Sequence, residues 1–137
     1  MKRIILLMFF GLIGTLGFSQ TIPEKANTII ISLPDSNGVA DRVKEVFSEK
    51  DYTLRAGKNT SKVATNPKTL KGSKTRVSLI AEIKGAEVWL TGNISVAAQD
   101  GMRIEYKGNK GTAIMDSWEE MEKVAKALGK KLKYEVK

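Results

Sequence analysis

Apolar and polar residues alternate most regularly between Thr75 and Ala98, and this stretch predicts two long strands joined by a tight turn. Every second residue is apolar over most of each half, which is the period of a strand with one buried face. The apolar positions are Val77, Leu79, Ala81, Ile83, Val88, Leu90, Ile94 and Val96. Because two separate runs agree on one buried face, this hairpin is predicted to be the centre of the fold.

The turn of the hairpin sets its register. A two-residue loop at Lys84-Gly85 would place Leu79 opposite Leu90. A four-residue loop from Lys84 to Glu87 keeps the same side chains on the buried face, whereas a three-residue loop would turn one strand's apolar set outward. Both loops of even length therefore predict the same buried face.

A second turn follows the hairpin. A three-residue loop from Gln99 to Gly101 would place Val96 opposite Ile104, with the glycine in the left-handed conformation that such loops need. A two-residue loop at Asp100-Gly101 would instead place Val96 opposite the charged Glu105. We therefore expect the longer loop.

Shorter elements flank the hairpin on both sides. They are a strand from Thr28 to Leu33, a helix with an apolar stripe of Val39, Val43, Val46 and Phe47, a strand from Tyr52 to Ala56, a strand from Lys62 to Thr65 interrupted at Asn66-Pro67, a helix from Trp118 to Leu128, and a closing strand from Leu132 to Val136. Ser36 or Asn37 is expected to cap the first helix, and Ser117 the second. The order β-α-β-β-β-β-α-β predicts an α+β fold, in which one twisted antiparallel sheet carries both helices on one face.

The N-terminus predicts a cleaved export signal of 19 residues. A positive end, Lys2-Arg3, precedes an apolar core from Ile4 to Leu16 that is 13 residues long. The small residues Gly17 and Ser19 stand third and first before a cut at Gln20. A membrane anchor is the alternative, but a span needs about 20 apolar residues.

The predicted mature chain, residues 20–137, is a single domain of 118 residues, long enough to bury a core. It contains no cysteine, so it holds no disulfide and no lipid-anchored leader is expected. Cleavage would lower the formal net charge from +8 to +6. We expect a periplasmic or extracellular protein with no transmembrane span after cleavage.

The positive charge is concentrated between Tyr52 and Ala81, where there is no Asp or Glu. The cations are Arg55, Lys58, Lys62, Lys68, Lys71, Lys74 and Arg76. Such a segment favours anionic partners, and export makes nucleic acid an unexpected one. A solvated pair of lysine-edged strands is the alternative, since lysine protects exposed sheet edges.

The chain contains neither histidine nor cysteine, which removes imidazole bases, thiolate nucleophiles and the usual zinc ligands. Glu82 and Glu87 would face each other across a two-residue turn, near the spacing of a retaining glycosidase pair, but exposed like charges more often only repel. The stretch from Gly108 to Thr112 lacks the ending of a phosphate-binding loop and is better explained as a turn. We expect no enzymatic activity, no cofactor and no metal site.

The candidate site is the face of the hairpin opposite the predicted helices. Its residues are Trp89, Ile80, Ser78, Thr91, Asn93, Arg76 and Arg103, with Ser95 beside them. An exposed tryptophan among hydroxyl groups and arginines is a common composition for recognising glycans, peptides or anionic headgroups. The alternative is that another segment or a second chain covers Trp89.

These patterns predict an exported, non-enzymatic binding module whose ligand or protein partner in the cell envelope is unknown. The alternative is a structural protein of the cell envelope that docks on anionic lipid or polysaccharide through the basic segment from Arg55 to Arg76.

Three stretches carry a resemblance to known proteins: Asn27 to Ile31, Thr65 to Lys68, and Ser117 to Gly129 followed by Leu132 to Val136. They resemble the TATA-binding-protein-like, or helix-grip, architecture, and more specifically small exported bacterial proteins of that shape classed as domains of unknown function. The resemblance implies that fold and an exported location. It implies no activity and no DNA binding.

Overall fold

The fold is that of a computed structural model, which describes residues 21–57, 61–96, 99–108 and 111–137. The predicted export signal and Lys58 lie outside these residues. In chain order the elements are β1 (Thr28–Ser32), α1 (Val39–Glu49), β2 (Lys62–Ala64), β3 (Lys68–Thr69), β4 (Arg76–Lys84), β5 (Glu87–Val96), β6 (Gln99–Arg103), α2 (Ala113–Leu128) and β7 (Lys131–Glu135).

The two longest strands, β4 and β5, form the centre of one antiparallel sheet with the strand order β2-β4-β5-β1-β7. Each long strand carries two short strands end to end along its outer edge: β2 and β3 on β4, and β1 and β6 on β5. This arrangement arises because β4 and β5 have nine and ten residues, whereas no other strand exceeds five. The predicted α+β fold with a single antiparallel sheet is confirmed.

Both helices pack on the same face of the sheet. The stripe predicted for α1, Val39, Val43, Val46 and Phe47, is buried, and α2 buries Met115, Trp118, Met121, Val124, Ala125 and Leu128. The sheet contributes Ile29, Ile31, Val77, Leu79, Ala81, Val88, Leu90 and Ile94, all fully buried. These side chains form one hydrophobic core, so the sheet's opposite face lies outside it.

The central hairpin has the predicted buried face but not the register that a loop at Lys84-Gly85 would give. Lys84 pairs with Glu87, so the two turn residues are Gly85 and Ala86 and Ala81 lies opposite Leu90. This is the register that the four-residue alternative implies. It places Leu79 opposite Gly92, where the missing side chain leaves room for the leucine.

The three-residue loop predicted for the second turn is wrong, and the two-residue alternative is not formed either. Ile94 pairs with Met102 and Val96 with Gln99, so residues 99–101 belong to β6 and not to a loop, while residues 97–98 lie outside the described residues. The register shifts by one residue between these two pairs. Gly101 has φ +73°, and its left-handed conformation serves this bulge rather than a turn.

The predicted helix caps are also wrong. The residue before α1 is Gly38, in the left-handed conformation and with no side-chain cap, while Asp35 Oδ1 accepts a hydrogen bond from the Asn37 amide at 2.9 Å. Helix α2 begins five residues earlier than predicted, where Thr112 Oγ1 accepts from the Met115 amide at 3.2 Å. Ser117 is buried inside α2 and donates to the Ala113 carbonyl oxygen.

One sheet edge differs in detail from the prediction. The segment from Tyr52 to Ala56 forms only a single bridge, Leu54 to Thr65, instead of a strand. Pro67 interrupts the edge between β2 and β3 as expected, because proline has no amide hydrogen to donate. Pairing with β4 resumes at Lys68-Thr69.

A polar contact joins β3 to both helices. Lys68 Nζ lies 2.8 Å from both the Glu120 carboxylate and the Lys50 carbonyl oxygen, and 4.3 Å from the centre of the Tyr52 ring. Burial and the nearby Glu120 carboxylate raise the pKa of Tyr52 above its usual range. Lys68 therefore links β3 to both helices at this edge of the sheet.

Gly92→Ala is expected to lower the free energy of unfolding by about 1–3 kcal/mol, because overpacking a tight core site forces its neighbours to move. The added Cβ would lie 2.6 Å from Ile104 Cδ1 and 2.9 Å from Leu79 Cδ2. Urea unfolding measures the change. Gly57→Ala is the control, since its Cβ would meet nothing within 4 Å, and it should shift stability by no more than about 0.5 kcal/mol. Equal losses in the two variants would contradict the observed register.

Candidate functional site

We use the term open face for the sheet surface opposite α1 and α2. Strand alternation and pairing bring the predicted site residues together on it, because side chains directly opposite in a pair share a face. Ile80 lies opposite Thr91, and Ser78 lies opposite Asn93, which in turn pairs with Arg103. Arg76 lies at the far end of β4, and Trp89 lies between Glu82 of β4 and Ile30 of β1. All seven predicted residues are thus placed on one face.

A shallow pocket of about 360 Å³, which we call the Trp89 pocket, lies on the open face. It is lined by Thr28, Lys62, Ile80, Glu82, Lys84, Trp89, Thr91, Arg103 and Lys137. Four of the predicted residues are among them, whereas Ser78, Asn93 and Arg76 lie further along the same face.

Trp89 is half-buried, and lysines rather than a helix cover its ring. Lys84 Nζ lies 3.6 Å and Lys137 Nζ 4.4 Å from the ring centre. The indole Nε1 donates to Glu87 Oε1 at 3.3 Å. Ammonium groups over an indole are attracted by its negative face, typically by about 0.5–2 kcal/mol each. The ring therefore has two cations held against it.

Lys137 reaches Trp89 because Asn27, the residue before β1, forms hydrogen bonds with the segment that follows β7. The Asn27 side chain donates to the Lys137 carbonyl oxygen at 3.2 Å and accepts from the Lys137 amide at 3.1 Å. Glu135 lies 2.8 Å from Lys137 Nζ and 3.1 Å from Lys133 Nζ. Hydrogen bonds from these two lysines lower the pKa of Glu135.

Cations outnumber carboxylates in the lining of the Trp89 pocket, and Glu87 and Glu135 lie beside it in contact with Trp89 and Lys137. Four cations line it against a single carboxylate, Glu82. Lys84 is 3.9 Å from that carboxylate. Within the described residues, Lys62 and Arg103 form no ion pair, so their charges are available to a ligand.

The pocket residues that were not predicted as part of this site fall into three groups. Glu82 and Lys84 share the alternation of Ile80, so the pattern that placed Ile80 on this face also contained them. Lys62 was assigned only to the basic segment. Thr28 and Lys137 line the pocket because the two ends of the described chain pair with each other. No local sequence pattern indicates such a contact.

The basic segment does not form one surface within the described residues. Lys62 lies in the Trp89 pocket, whereas Lys68 is partly buried against Glu120 on the helix side. Lys71 and Lys74 are exposed near the turn closed by the hydrogen bond from the Leu70 amide to Thr75. Arg55 lines a cleft of about 390 Å³ beside α1, and Lys62 lines this cleft as well as the Trp89 pocket.

Other clefts have less charge or lack an aromatic ring. A cleft of about 350 Å³ at the corner of the fold is lined by Ser32, Leu33, Pro34, Leu128, Gly129, Lys130 and Lys131. The lining of the cleft beside α1 mixes alanines and a glycine with Asp41 and three cations. Among these clefts, only the Trp89 pocket combines an aromatic ring, hydroxyl groups and unpaired cations.

The carboxylate pair considered from the sequence is not formed, because Glu82 pairs with Trp89 and Glu87 with Lys84. Across the described part of the chain, no three acidic side chains lie close enough together to hold a metal ion. No helix among the described residues has the length and apolarity needed to cross a membrane.

Comparison with known proteins gives no relative: no protein-family model matches the chain, and a search of curated proteins finds no significant match.

Replacing Trp89 should remove the part of the fluorescence that solutes can quench. The chain has two tryptophans, and Trp118 is only 1% exposed. Because the open face is positive, iodide should quench Trp89 more strongly than caesium does. In Trp89→Phe the remaining emission should resist both ions. Quenching that is unchanged in this variant would show that Trp118 is the accessible ring.

Proposed function

We propose that this protein is an exported binding module that recognises its ligand through the open face around Trp89 and performs no catalysis. The observation that carries the proposal is the Trp89 pocket, in which a half-buried indole, hydroxyl groups and unpaired cations meet on the surface that the helices leave uncovered. A few convergent polar groups around an apolar surface are typical of ligand sites.

Free hydrogen-bonding groups beside the pocket also support binding. Ser78, Thr91 and Asn93 are half-buried, and their side chains make no hydrogen bond to another described residue. Half-buried polar groups without a protein partner must be satisfied by water or by a ligand. They lie in neighbouring rows of the same face, so one ligand can contact all three.

Export is supported by the N-terminal sequence alone: a positive end, an apolar core of 13 residues and small residues before Gln20. A mature protein that begins at Gln20 would agree with this part of the proposal.

Docking through the basic segment from Arg55 to Arg76 is a second candidate with weaker support. Exposed Lys71 and Lys74 favour it, but Lys68 is bound to Glu120 and is not available to a partner.

The proposal is tested with an array of glycans, peptides and lipids probed with the wild type and two variants. Trp89→Ala should weaken binding of any specific ligand at least tenfold, about 1.4 kcal/mol, because it removes the central contact surface. Lys123→Ala is the control, since Lys123 is exposed on α2 and distant from the open face.

Circular dichroism must show that Trp89→Ala remains folded. A specific ligand whose affinity is unchanged by Trp89→Ala but lost in Lys71→Ala/Lys74→Ala would refute the open-face site and favour the basic segment.

A further inference from the structure

The positive charges of the open face are spread over a wide area. Lys62 and Arg103 lie on β2 and β6, which are separated by β4 and β5, or about 14 Å at the usual strand spacing. They are also offset along the strands, since Lys62 lies in the row of Trp89 and Arg103 in the row of Asn93. That offset of four residues adds about 13 Å. Both side chains line the Trp89 pocket, and their backbone positions are far enough apart for an extended ligand to lie between them.

The side chains between these two residues are mostly neutral, and Glu82, directly opposite Lys62, is the exception. Thr91 and Ile80 form one row across the sheet, and Asn93 and Ser78 form the next. The hydroxyl groups of Thr91 and Ser78 and the amide group of Asn93 both donate and accept hydrogen bonds. A ligand that spans the two cations would therefore place hydrogen-bonding groups of its own between its acidic groups.

We infer that the ligand of the open face is an acidic glycan, a chain of sugar rings that bears carboxylate or sulfate groups. This inference rests on the proposed function. The acidic groups would bind Lys62 and Arg103, and ring hydroxyls would bind Thr91, Asn93 and Ser78. The apolar C–H face of one sugar ring would pack against the Trp89 indole, with Lys84 and Lys137 turning from the ring toward neighbouring acidic groups.

The shape and composition of the face favour a glycan over a lipid surface. The large apolar side chains exposed within the described residues are Leu54 and Val136, and neither lines the Trp89 pocket. Trp89 is half-buried under two lysines, whereas an aromatic anchor inserts an exposed ring into the bilayer interface. A single sugar chain can enter a shallow pocket that a flat bilayer would only cover.

The test compares four probes of matched size or charge by calorimetry and Trp89 fluorescence. They are an oligogalacturonate of about eight residues, a sulfated dextran oligomer of similar length, a neutral malto-oligosaccharide of the same length, and an oligoglutamate with the same number of carboxylates. Vesicles of phosphatidylcholine with phosphatidylglycerol form a fifth arm. The two acidic glycans distinguish a carboxylate from a sulfate as the preferred group.

At least one acidic glycan is expected to bind, to alter the Trp89 emission, and to lose affinity by fivefold or more between about 50 and 500 mM NaCl, because exposed charges are screened by salt. Lys62→Ala and Arg103→Ala should each weaken binding about 3–10-fold, consistent with charge-assisted contacts. Lys123→Ala, which removes an exposed lysine from α2, should leave affinity unchanged.

Several results would overturn the inference. Tighter binding of the neutral glycan at Trp89, with no effect of salt, would support the open face as the binding site but show that its ligand is not acidic. Preference for oligoglutamate would identify an acidic peptide as the ligand. Binding to the vesicles and to no other probe would identify a membrane surface. If no probe binds, the acidic glycan is wrong, and the array with Trp89→Ala then decides separately whether the open face binds anything.

Discussion

The structure depends on one constraint: the β4–β5 hairpin can bury only one of its two faces under the helices of this chain. Alternate side chains along both strands, among them Leu79, Ala81 and Leu90, are fully buried. Burial of each large apolar side chain contributes about 1.5–3 kcal/mol, so exchanging the two faces would lose most of the core. The same alternation fixes which residues remain on the other side, and so it determines the composition of the open face.

The open face is held in place by contacts of a different kind. The Asn27 side chain forms hydrogen bonds with the Lys137 backbone, and the Glu135 carboxylate forms ion pairs with Lys133 and Lys137. The ammonium groups of Lys84 and Lys137 lie over the Trp89 ring. These contacts are partly exposed and polar, so they are weaker than the core and can exchange partners. The open face therefore combines a firmly packed backbone with charged side chains that can change partners.

Alternation in the sequence was sufficient to predict the sheet, the one-sided packing of the helices and the placement of all seven candidate residues on one face. Registers and caps were not predictable in the same way. Gly101 was assigned to a turn, yet its left-handed conformation is used by a bulge, because either use satisfies the local pattern. Lys137 reaches Trp89 through Asn27, 110 residues away, and a contact of that range has no signature in either segment.

Thiol labelling of single-cysteine variants tests the one-sided sheet most directly, since the natural chain contains no cysteine. Ser78→Cys and Ala81→Cys are small replacements three residues apart on β4, and they should report opposite faces. Under native conditions, a thiol reagent should modify Ser78→Cys at least 100 times faster than Ala81→Cys, and denaturant should make the two rates equal. Equal rates in the folded protein, or faster labelling of Ala81→Cys, would contradict the account.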